Sequence, residues 1–164
     1  MNLSEFLMPE FQHEMASTRK MLSALPEAEL DFKPHEKAMS LAELANHLAE
    51  IPTWIPITLL QPELDFSTLN YTPTNYRTVA ALLEAFDTNV AEAQKLLQEA
   101  QNETFQEQWT MRNGETVYFT LPKMSVYRMF VMNHTIHHRG QMSTYIRSVG
   151  GKVPGMYGPT ADEN

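Results

Sequence analysis

The chain has 164 residues, 43% of them hydrophobic, with no cysteine and a formal charge of −8. That length supports one domain with a sizeable core, while the acidic balance works against binding nucleic acid, which needs a concentrated basic surface. Without cysteine any metal must be held by nitrogen and oxygen; with no apolar run near the roughly 20 residues of a membrane span and no signal-like N-terminus, a soluble cytoplasmic protein without a membrane partner is expected.

Residues 2–24 place Leu3, Phe6, Leu7, Phe11, Met15, Met21 and Leu22 at mostly three- and four-residue spacing, which predicts an amphipathic helix closed by Pro26. Ser40-Leu41-Ala42-Glu43 has the form of a capping box and starts a second helix with Leu41, Leu44, Leu48 and Ile51 as its apolar stripe. Pro52 and Pro56 bend, restart or end it. Residues 61–76 read as a loop, and residues 78–100 as a third helix carrying Leu82, Leu83, Phe86, Val90, Ala93 and Leu97 on one face. Trp109 and Met111, then Asn113-Gly114, then Val117 and Phe119 predict a short β-hairpin. A fourth helix over residues 122–149 follows, ended by Gly150-Gly151, and residues 152–164 form an irregular tail. The expectation is a single all-α domain over residues 1–164, a four-helix bundle with a β-hairpin before its last helix.

The fourth helix carries the chemistry. His134 and His138 lie one turn apart on the same stripe as Val131, Met142 and Tyr145, close enough to share one metal ion. His47, beside the apolar stripe of the second helix, is the candidate for a third ligand. Three neutral imidazoles would leave coordination positions open, as in a catalytic site rather than a closed structural one. Thr135 stands where an HExxH peptidase has its glutamate, so that reading lacks its general base, and no catalytic residue is assigned. His137 falls about 100° around the helix and is expected outside the ligand set, and His13 and His35 are expected to be ordinary polar positions. Trp54 is a candidate cap for the pocket, and Glu43 and Glu50 read as surface charges or as partners orienting imidazoles.

The combination of Ser40-Leu41-Ala42-Glu43-Leu44-Ala45-Asn46-His47, His134-x-x-x-His138-Arg139-Gly140-Gln141 and Pro154-Gly155-Met156-Tyr157-Gly158-Pro159 resembles the DinB/YfiT-like superfamily over nearly the whole chain. The resemblance implies an up-down-down-up bundle, a homodimer, and a divalent ion, zinc or nickel, held by His47, His134 and His138. It also implies enzymes that use low-molecular-weight thiols, which suits a cysteine-free protein. Arg139 and Gln141 are then expected to orient the helix or the ligands, with Arg139 pointing away from the metal. The function expected is activation of a thiol or of water for S-transfer or hydrolysis on a small molecule. The alternative is a non-catalytic metal-binding or stress-related homodimeric module. A thiol transferase should have a basic or polar groove for the carboxylates of its thiol, and Lys20, Arg77, Arg112 and Lys123 are the candidate cations.

Overall fold

Helix α1 (Leu3–Ser23) begins where the Asn2 side chain accepts from the Ser4 N–H, and it turns Leu7, Phe11, Met15 and Leu22 inward. Helix α2 (Leu41–Glu50) opens on the expected capping box: Ser40 Oγ accepts from the Glu43 N–H, and Glu43 accepts in return from the Ser40 N–H. A 3-10 turn over Ile51–Thr53 absorbs Pro52 and leads into the short helix α3 (Trp54–Leu60). Helix α4 (Val79–Glu99) is capped by Thr78 and buries Leu82, Phe86, Ala93 and Leu97. The last helical stretch has three parts: α5 (Lys123–Val126), a π-helical segment (Tyr127–Asn133) and α6 (His134–Ser148). This is the computed structural model of the chain, and it describes residues 2–163.

Helices α1 and α2 each pack chiefly on both α4 and α6, so they stand diagonally across the bundle. Phe11, Leu22, Leu48, Ala93, Leu97 and Met142 are fully buried between them, and each large apolar side chain removed from water there contributes about 1.5–3 kcal/mol. Gly150, with φ of +78°, lets the chain turn away after α6. Among the described residues no helix is long and apolar enough to cross a membrane.

The all-α expectation is corrected by a three-stranded sheet. Strand β2 (Gln108–Asn113) and strand β3 (Thr116–Pro122) form the expected antiparallel hairpin, with Gly114 at φ +58° in the turn. Strand β1 (Glu63–Asp65), inside the segment read as a loop, adds in parallel along β2. It is held there by long-range partners. Arg112 pairs with Glu63 and Asp65, and Asp65 Oδ1 accepts from the N–H groups of Gly114 and Ser67. Those bonds, with the Gly114 N–H the largest contributor, hold the Asp65 carboxyl down at about 2.

The hairpin also moves the start of the last helix. Pro122 ends β3 and the first helical residue is Lys123. Beneath the sheet a second apolar cluster gathers Leu64, Trp109, Met111 and Val126, with Trp54, Phe119 and Phe130 packed on it. Phe130 stacks between Trp54 (5.8 Å) and Phe119 (5.0 Å), tying the sheet to the helical turn that precedes His134.

Candidate metal centre

Three imidazoles meet where α2 packs against α6. His47 Nε2 lies 3.2 Å from His134 Nε2, which lies 2.8 Å from His138 Nε2. All three rings are partly buried, and His47, His134 and His138 can each turn one ring nitrogen to a shared point. The spacing within α6 is the ordinary one-turn neighbour relation of a helix. The π-helical segment just before it widens the backbone turn, so that Phe130 faces Trp54 while His134 and His138 face α2.

The surroundings keep these rings neutral. Burial, reinforced by His138 and His134, pushes the His47 pKa down to about 4. His134 and His138 are also lowered, in each case mainly by burial. Gln141 Oε1 lies 2.7 Å from His138 Nδ1; a carbonyl oxygen only accepts, so the ring proton sits on Nδ1 and Nε2 keeps its lone pair. The Phe130 carbonyl serves the His134 ring in the same sense. Three facing nitrogens with fewer protons than lone pairs do not satisfy one another, whereas a borderline divalent ion does. The donor set therefore fits a divalent transition-metal ion.

The remaining expected residues fall around this centre in different ways. Trp54 stands in a cavity wall with His47 and packs on Phe130. Arg139 points away from the histidines toward α1, where it is 2% exposed and bonds to the Glu14 carbonyl, the Glu14 carboxylate, Thr18 Oγ1 and Tyr157 Oη. His137 is exposed and touches only the edge of the centre, its ring 4.9 Å from that of His138. His13 packs beside Tyr157, and the His35 ring accepts from the Lys37 N–H. Glu43 serves the α2 cap.

Two acidic residues carry more than their sequence context suggested. Glu14 is buried and takes hydrogen bonds from Arg139 and Tyr157, pinning the C-terminal tail to the bundle. A signal for it existed: Glu14 lies three residues after Phe11 and seven after Leu7, on the inward stripe of α1. Glu50, one turn after His47, accepts from Tyr71 Oη (2.8 Å) and the Thr74 N–H (3.1 Å), so it holds the loop after β1 in the cavity wall that His47 shares. Nothing local announced that role.

Beside His47 opens a cavity of about 780 Å³, within the range of about 300–1,000 Å³ usual for small-molecule sites. Helices α2, α3 and α4 and the loop after β1 enclose it. None of the four expected thiol-binding cations reaches it. Lys20 pairs with Glu163, Arg77 with Asp31, Arg112 with Glu63 and Asp65, and the buried Lys123 with Glu107 and the Leu59 carbonyl.

Comparison with known proteins agrees with this architecture. The chain is 27% identical to YrdA of Bacillus subtilis (strain 168), over 98% of its own length and 91% of that protein. A DinB-like protein from Bacillus cereus ATCC 10987 shares the fold at a TM-score of 0.68 and 24% identity, covering 93% of this chain and 97% of that one. YfiT from Bacillus subtilis, described as "a probable metal-dependent hydrolase with an unusual four-helix bundle topology", superposes at 0.64 with 14% identity, covering 91% and 89%. The DinB family model matches residues 1–164, and the chain belongs to the DinB family.

Proposed function

We propose that this protein is a metal-dependent hydrolase of small organic molecules, with His47, His134 and His138 as the ligands of one divalent ion, zinc or nickel. The observation that carries the reading is the convergence of three Nε2 atoms, one of them on His47 in the wall of a ligand-sized cavity. An ion held by three imidazoles lowers the pKa of water in its open position and polarises a carbonyl. The chain's own residues supply the rest. Gln141 fixes the His138 tautomer, the apolar wall around Trp54 limits water, and we assign proton acceptance from the attacking water to the Glu50 carboxylate, which shares the cavity wall with His47.

Thiol transfer has less support, because the candidate cations for its thiol are paired elsewhere and none lines the cavity. The description of YfiT also points toward hydrolysis. The test combines elemental analysis with an ester and amide hydrolysis screen. About one ion per chain, with turnover that chelation and His134→Ala abolish, is the expected result. A chain that stays metal-free after reconstitution ends this reading. Full metal loading with no turnover, but a large stability loss on chelation, supports a non-catalytic metal-braced module instead.

A further inference from the structure

We infer that the compound accepted in the cavity beside His47 has an aromatic or similarly apolar body and carries no negative charge. This specificity rests on the hydrolase reading for its chemical consequence, but it is argued from the cavity wall. Trp54, Ile57, Leu64, Phe66 and Leu69 give the wall a large apolar and aromatic surface, and aromatic faces of this kind favour a planar or bulky apolar guest.

The charges on the wall are all of one sign. Glu50 and Glu84 line the cavity, and among the described residues no lysine or arginine does. Glu50 is held in place by Tyr71 and Thr74, while the exposed Glu84 carboxylate has no hydrogen bond or ion pair among the described residues. A carboxylate or phosphate entering here loses hydration and meets two like charges without a partner. An ammonium group meets Glu84 and the ring of Tyr71 instead. The neighbouring recess on the other side of the Glu50–Tyr71 contact does not reverse this. It contains Lys33 and Lys37, but Glu36, Glu43 and Glu50 outnumber them and Lys33 pairs with Glu43. An ion on the histidines attracts negative charge only at the reacting end, whereas the body of the guest lies against the acidic wall.

The test is calorimetric titration with three probes of one shape, 2-naphthylmethanol, 2-naphthylmethylammonium and 2-naphthoate, on both the metal-loaded and the chelated full-length protein. The neutral and cationic probes are expected to bind, with the carboxylate weaker by about tenfold or more. Glu84→Gln should remove the advantage of the ammonium over the alcohol and leave the alcohol unchanged. Equal or tighter binding of the carboxylate to the chelated protein overturns the inference, as does failure of all three probes to bind. If the protein holds no metal yet keeps the charge selectivity, the hydrolase reading fails while the assignment of the cavity stands.

Discussion

Two faces of α6 diverge at adjacent residues: toward α2, His138 joins a cluster of neutral rings short of protons, and toward α1, Arg139 enters a network in which Glu14, Thr18 and Tyr157 answer it. Both regions bury polar groups, and burial is costly unless partners are found. On the Arg139 face the partners are all present in the chain. On the imidazole face the three Nε2 atoms face one another, a donor set that suits a shared cation. Polar burial that is complete braces a fold, and polar burial that is incomplete but convergent marks a place for a ligand.

The largest effect that can break this comparison is on metal content. His134→Ala removes the central ring of the cluster and is expected to reduce bound zinc or nickel from about one ion per chain to a trace, with unchanged far-UV circular dichroism. Arg139→Ala should do the reverse. It leaves Glu14 buried without its counter-charge and is expected to cost about 3–5 kcal/mol in urea unfolding. Replacing both partners, as Arg139→Met with Glu14→Leu, should recover most of that loss, because no uncompensated charge remains. If Arg139→Ala strips the metal without lowering stability, the two faces are not separate. Gln141→Ala is gentler: with the His138 tautomer no longer fixed, metal affinity should fall about 10–100-fold in a chelator competition.

How much of this was legible depended on the range of the interactions. The periodic apolar stripes and caps are local, so α1 and α4 were read to within about a residue at each end. The meeting of His47 with His134 and His138 was also legible, because all three sit on or beside buried stripes of strong helices. Strand β1 was not: three residues show no period, and its partners Thr110, Met111 and Arg112 lie far along the chain. The π-helical segment was hidden because three- and four-residue spacing continues across it. Glu14 advertised burial by its stripe but not its partner, which is 125 residues away. Glu50 looked like any solvated helix glutamate, since its partners Tyr71 and Thr74 come from a loop without periodicity.

The smallest expected effect separates the two faces by pH. In the metal-free protein the folded pKa of His47, about 4, lies below the ordinary histidine value of about 6.5 because burial disfavours the charged ring. Between those values the unfolded chain binds more protons than the folded one, so stability rises with pH across that window. The contribution is complete above about pH 6.5 and is lost as pH falls toward 4. His134 and His138, lowered in the same direction, act with the same sign. Discounted for the partial exposure of the ring, the His47 share is on the order of 1 kcal/mol. Urea unfolding of chelated protein at pH 7 and pH 5 should show this loss, and His47→Leu should flatten it. Saturating metal should also oppose the loss near pH 7 by holding the rings neutral, and that protection should fade as protons compete for the ligands. An Arg139→Met, Glu14→Leu background should leave the slope between pH 5 and 7 unchanged, because the slope belongs to the histidine face.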